Sequence, residues 1–163
     1  GYALITSNLP ATPAAGVYAA WLAGAHNETS RLSQSVKLPA AAPKLYLIYK
    51  YWAFSNESRC TYDLAYVYLN TTRIQSVKLC SASNTNGWVR AVIDITKYAG
   101  KNYTVQFYAK TDSSLISHWL IDDVIISTSS TARSEEEILQ PEDIEEGAGE
   151  EQLQKLFLPV IVQ

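Results

Sequence analysis

The sequence has no methionine, only two histidines and two cysteines, and only 18% charged residues. No stretch reaches the ~20 consecutive apolar residues that a membrane-spanning helix needs, so no transmembrane segment is expected. His26 and His118 stand in no motif that supplies a nucleophile, a base and an orienting acid. His118, directly before Trp119 at the start of an apolar run, reads as a packing or loop residue. Gly-rich phosphate loops, Cys/His zinc spacings and dinucleotide fingerprints are absent as well. A net charge of -3 with scattered lysines argues against a nucleic-acid partner. These absences point to a protein that works by contact and not by catalysis.

What is present favours strands. Eleven tyrosines, four tryptophans and a 47% hydrophobic content across 163 residues are enough for one core of ordinary size. Apolar and polar residues alternate with period two in short runs near 2–6, 16–23, 30–38, 44–54, 61–69, 73–80, 87–95, 102–110 and 116–127, separated by turn residues. In the run 103–110, Tyr103, Val105, Phe107 and Ala109 fall on one face and Thr104, Gln106, Tyr108 and Lys110 on the other. The pattern predicts an all-β jelly-roll sandwich with no helix.

Cys60 and Cys80 flank a predicted hairpin that turns near Asn70-Thr71-Thr72. A disulfide between them would close a loop worth roughly 3 kcal/mol and would indicate an oxidising compartment; the alternative is two buried thiols. Asn-x-Ser/Thr sequons stand at Asn27, Asn56, Asn70 and Asn102, more than seven asparagines predict by chance, which fits a secreted surface open to glycosylation. A chain that starts at Gly1 without Met is expected to have lost a leader.

Composition changes after Arg133. Residues 1–133 hold twelve Lys/Arg against seven Asp/Glu, and residues 134–163 hold one Lys against nine acids. The chain therefore divides into a sandwich over 1–133, an acidic linker over 134–152 and a short apolar ending over 153–163. Exposed in water, the β-prone stretch containing Leu156, Phe157, Leu158, Val160, Ile161 and Val162 would be an aggregation hazard. One solution is donation of this strand to a neighbouring copy, with the acidic linker lying on that neighbour's basic surface. Such head-to-tail contacts build a pilus-like filament, a homopolymer of this chain. Pro159 fits poorly in a strand bonded on both sides, so edge pairing, docking on its own domain and a sorting role remain alternatives.

Several segments, taken in order, resemble a known group of bacterial extracellular jelly-roll domains. They are Trp21-Leu22-Ala23-Gly24-Ala25-His26-Asn27-Glu28-Thr29, Leu79-Cys80, Asn84-Thr85-Asn86-Gly87-Trp88-Val89, Asp94-Ile95-Thr96-Lys97-Tyr98-Ala99-Gly100-Lys101, Thr111-Asp112-Ser113-Ser114-Leu115-Ile116-Ser117 and Trp119-Leu120-Ile121-Asp122-Asp123-Val124. These domains are similar to carbohydrate-binding modules and MAM-type sandwiches, and they accompany secreted peptidases and surface proteins. The ending resembles the C-termini of exported proteins of filamentous green non-sulfur bacteria. The resemblance implies an extracellular adhesive or sugar-binding module. It also implies a structural Ca²⁺ held by Asp122 and Asp123 together with Asn27 and Glu28 of an early loop, oxygen ligands of the kind calcium prefers. On the residues themselves, one of the two aspartates should point into the sandwich, and the alternative is that they cap loop amides or pair with Arg31 or Arg90.

Tyrosines supply a candidate glycan platform: Tyr49 with Tyr51 on one strand face, Tyr66 with Tyr68 on another, and Tyr108 on the polar face of its own strand. Ordinary core packing and a subunit interface are the competing explanations.

Overall fold

The computed structural model describes residues 3–133 and the backbone of Gln154–Lys155. Ten strands follow in chain order: β1 (Ile5–Thr6), β2 (Ala19–Leu22), β3 (Thr29–Lys37), β4 (Tyr46–Ser55), β5 (Asp63–Leu69), β6 (Thr72–Leu79), β7 (Val89–Asp94), β8 (Asn102–Lys110), β9 (Ser117–Ser127) and β10 (Gln154–Lys155). Only two short 3-10 turns, Ser81–Ser83 and Thr96–Tyr98, interrupt them, and no α-helix occurs among the described residues.

Two antiparallel sheets form. One has the order β1-β2-β9-β4-β7 with β10 beside β9, and the other the order β3-β8-β5-β6. From β2 to β9 the chain changes sheet at every step except β5 to β6, which pair with each other, and the all-β sandwich expected from the alternation is what the chain adopts. The two inner faces meet in one core that includes Leu22, Leu32, Leu47, Tyr49, Val67, Phe107, Trp119 and Ile121. In β5 the burial alternates residue by residue, with Ala65, Val67 and Leu69 inside and Leu64, Tyr66 and Tyr68 on the partly exposed side. The disulfide Cys60–Cys80 is formed and ties the loop after β4 to the end of β6.

A bulge decides the fate of the aspartate pair. Ile48 of β4 is opposite Ile125 of β9, yet Lys50 is opposite Asp122, so β9 carries one extra residue at this point. Asp123 absorbs it in the left-handed region at φ 50°. Side-chain parity therefore flips within β9: Ile121 and Val124 both enter the core, and both carboxylates stay out of it. The expectation of one inward and one outward aspartate is corrected, because the bulge turns both away from the opposite sheet, and Asp123, its side chain 8% exposed, is buried beside Lys50.

The start of the tail docks on its own domain. Gln154 pairs with Ile126 and Lys155 with Ile125, along the part of β9 that β2 leaves uncovered. This is one of the alternatives to strand donation, and the pairing gives donation to a neighbour no support. Leu156, Phe157, Leu158, Val160, Ile161 and Val162, like the linker, lie outside the described residues.

Candidate functional site

The outer face of the four-stranded sheet gathers three of the five tyrosines singled out above. Tyr66 of β5 is directly opposite Tyr108 of β8, and Tyr68 is opposite Gln106. The Tyr66 and Tyr108 rings lie nearly parallel with centroids 6.2 Å apart, and Tyr68 meets both edge-on at 5.9 and 6.4 Å. Because Ala65, Val67, Phe107 and Ala109 point inward, strand alternation places these three rings outward. Arg31 of β3 lies over Tyr108 with its guanidinium carbon 5.1 Å from the ring centre, and Arg73 of β6 lies over Tyr66 at 4.7 Å. Ser33, Ser35, Ser76, Thr104 and Gln106 surround them on alternate strand positions.

Tyr49 and Tyr51 do not belong to this face. They share a side of β4, as their spacing requires, but that side is core. Tyr49 is fully buried, packs edge-on against Phe107 at 5.1 Å and donates its hydroxyl to Gln75 Oε1 at 2.6 Å. Burial, with the neighbouring Tyr51 second, pushes its phenol far above the ordinary range, so it stays a neutral donor. Tyr51 is half-buried against the same core.

The calcium set expected from the resemblance is not assembled. Asp122 accepts from the amides of Ala14 and Ala15 through Oδ2, at 3.0 and 3.2 Å, and from the Asp123 amide through Oδ1 at 2.8 Å. Burial raises its pKa, and those three amide bonds oppose the rise. Asp123 lies 3.0 Å from Lys50 Nζ. Capping of loop amides, one of the alternatives, thus holds for Asp122, whereas the cation is Lys50 and neither of the two arginines. Asn27 and Glu28 lie elsewhere, stitched to the loop after β8: the Asn27 amide donates to the Asp112 carbonyl at 2.7 Å and the Glu28 amide to Thr111 Oγ1 at 2.9 Å. Glu28 Oε2 accepts from Ala25 N at 2.9 Å and closes its own turn.

A different acidic cluster forms at that end of the sandwich. One ligand oxygen from each of Glu57, Asp63 and Asp112 lies within 4.8 Å of the others, and Glu57 and Asp63 are buried. Asp63 accepts from the Asp112 amide at 2.9 Å and from Ser117 Oγ at 2.6 Å; Glu57 accepts from the Leu115 amide at 2.8 Å and from the Ser114 hydroxyl. Hydrogen bonds to Ser114 hold the Asp112 carboxyl below the usual carboxylate range, with the nearby His26 adding a smaller charge effect. The donor set is all oxygen, and the cluster could hold a metal ion. Sequence reading missed it because its members come from the β4–β5 loop, the first residue of β5 and the loop after β8, and no recognised spacing joins positions 57, 63 and 112.

On the opposite sheet, Pro10, Ala11, Trp52, Phe54, His118 and Leu120 line an apolar cleft of about 250 Å³. His118 stacks on Phe54 at 6.2 Å and accepts from Trp21 Nε1 through Nδ1 at 3.2 Å. Indole nitrogen only donates, so Nδ1 carries the lone pair and the imidazole is neutral. Burial lowers the pKa of His118, consistent with the packing role read from its sequence position. The four sequon asparagines, Asn27, Asn56, Asn70 and Asn102, are all exposed. Asn27 and Asn70 occupy left-handed turn positions at φ 52° and 51°, and Asn70 also accepts from the Thr104 amide at 2.8 Å.

No protein-family model matches the chain. Over 138 residues it is 28% identical to Bacillopeptidase F of Bacillus subtilis (strain 168), an alignment that takes in 80% of this chain and 9% of that protein. The chain spans less than a tenth of the length of the relative it matches.

Proposed function

We propose that this chain is a non-catalytic, extracellular β-sandwich domain that contacts carbohydrate through the outer face of its four-stranded sheet. The observation that carries this reading is the ring-to-ring cluster of Tyr66, Tyr68 and Tyr108 on that face. Aromatic rings fixed on a rigid sheet present apolar contact area at little entropic cost, and the polar side chains around them supply hydrogen-bonding groups for hydroxyls. The disulfide supports an oxidising compartment. Similarity to a small part of a protein named as a peptidase supports an accessory role beside a larger enzyme.

Replacing Tyr66 and Tyr68 together by Ala should weaken glycan binding roughly thirtyfold, the equivalent of about 2 kcal/mol for lost aromatic anchors. Both rings are partly exposed, so thermal stability should hardly change. A glycan array that reads the same for the variant and the parent chain would count decisively against the tyrosine face.

The acidic cluster fits a structural cation, and its oxygen-only donors favour calcium. Glu57, Asp63 and Asp112 would hold the ion and join the loops after β4 and β8. Calcium at a hundredfold excess over its Kd should then raise the unfolding free energy by about 2.7 kcal/mol. Glu57→Gln combined with Asp63→Asn should abolish that rise in a calorimetric melt. A melt indifferent to calcium, or a rise that survives in the double variant, refutes the site.

A further inference from the structure

The charge pattern of the tyrosine face is one-sided. Outward positions of its strands carry Arg31 and Lys37 on β3, Arg73 and Lys78 on β6, and Lys110 on β8, all exposed, and no carboxylate. Strand pairing lays them out in rows. Arg31, Tyr108, Tyr66 and Ser76 run across the sheet in one row; Ser33, Gln106, Tyr68 and Arg73 form the next, and Lys110, Leu64 and Lys78 flank them. With neighbouring strands about 4.8 Å apart, a row spans about 14 Å. Among the described residues the ion pairs are Lys44–Asp94 and Lys50–Asp123, so none of these five cations is neutralised by a described carboxylate.

The two arginines also change what the rings can do. Their guanidinium groups already lie over Tyr108 and Tyr66, so those ring faces are not bare platforms for a neutral sugar. Cation–π attraction instead holds each guanidinium beside a ring, and its N–H donors carry the fork geometry that matches a carboxylate or sulfate. Resting on the carbohydrate reading above, we propose that the face selects an anionic polysaccharide, one that carries uronate carboxylates or sulfate esters. Arg31 and Arg73 engage the anionic groups, Tyr68 and the intervening serines contact the sugar ring, and Lys37, Lys78 and Lys110 provide the surrounding positive field. A single-stranded nucleic acid is also a polyanion with stackable rings, but binding it takes a basic groove along the backbone, and these cations stand in rows on the outer face of a sheet.

The test uses the full chain and measures Kd by titration calorimetry against polygalacturonate, its fully methyl-esterified form, dextran sulfate, neutral dextran and a single-stranded oligothymidine. An anionic polysaccharide should bind at least about tenfold more tightly than its neutral counterpart and weaken as salt rises. Polygalacturonate binding assigns carboxylates, and dextran sulfate binding assigns sulfate esters. Arg31→Gln with Arg73→Gln should cost about tenfold or more, whereas Lys44→Gln with Lys97→Gln, which removes the same charge away from the face, should not. Equal binding within both pairs, polygalacturonate with its ester and dextran sulfate with neutral dextran, overturns the anionic selectivity and leaves the carbohydrate reading standing. Binding of no polysaccharide overturns both. Tighter binding of the oligothymidine, or an equal loss from the two pairs of substitutions, overturns the assignment to this face and this ligand class.

Discussion

Trp119→Ala should lower the unfolding free energy by about 3–5 kcal/mol, the range seen when a buried aromatic is truncated and the void does not collapse. Trp119 is fully buried on β9 of one sheet, and its ring meets Phe107 of the other sheet at 5.9 Å. Phe107 in turn packs against Tyr49 of β4, so the three rings bridge the sandwich at its centre. Each is fixed by the pleat of its own strand, and two packed sheets cannot approach further to fill the space. Trp119 Nε1 has no hydrogen-bond partner among the described residues, so against these the native side chain carries the cost of a buried, unsatisfied donor. Trp119→Phe removes that donor along with part of the ring, so it should cost less than half of what Trp119→Ala costs. Urea titrations should show shifted midpoints and an unchanged slope. Equal losses for the two variants would show that ring volume is not what Trp119 contributes.

Loss of the disulfide should be the next largest effect. The bridge separates Cys60 from Cys80 by 20 residues and encloses the β5–β6 hairpin. Constraining a loop of that length in the unfolded chain is worth about 3 kcal/mol on the entropic model. The native contribution is local as well. Cys80 is fully buried, and the next residue, Ser81, donates its amide to the Glu57 carbonyl at 2.8 Å. The bridge and this bond together anchor the loop that carries Glu57 into the acidic cluster. Cys60→Ser with Cys80→Ser should therefore lower stability by about 3 kcal/mol and also shrink the calcium-dependent rise in melting temperature. Denaturation that is unaffected by the double substitution would remove the bridge from any account of stability. A full calcium response in that variant would separate it from the cluster.

The strands were legible because period-two alternation is a direct consequence of the pleat. The expected run 102–110 coincides with β8, and the run 61–69 begins two residues before β5 and ends with it. Cysteine placement on either side of a hairpin turn suggested the Cys60–Cys80 bridge beside the alternative of two buried thiols, and the bridge is what forms. The aspartate pair was misread for a physical reason: strict alternation assigns Asp122 and Asp123 to opposite faces, and only the register of β4 against β9 reveals the extra residue that turns both away from the core. The calcium ligands carried over from the resemblance failed on the same ground, since Asp122 is engaged by Ala14 and Ala15 while Asn27 and Glu28 sit against the loop after β8.

The chain's own pattern of residues determined a two-sheet β sandwich, its hairpin staple and which tyrosines share a strand face. Tertiary packing decided which of the remaining faces meets solvent: Tyr49 and Tyr51 turn toward the opposite sheet, whereas Tyr66 and Tyr68 turn away from it and join Tyr108, whose strand already marked its polar face. It also brought Asp112, from the loop after β8, against Glu57 and Asp63 at the start of β5. Alternation along one strand says that two sides differ, but the identity of the buried side depends on a partner sheet contributed by residues far away in the chain.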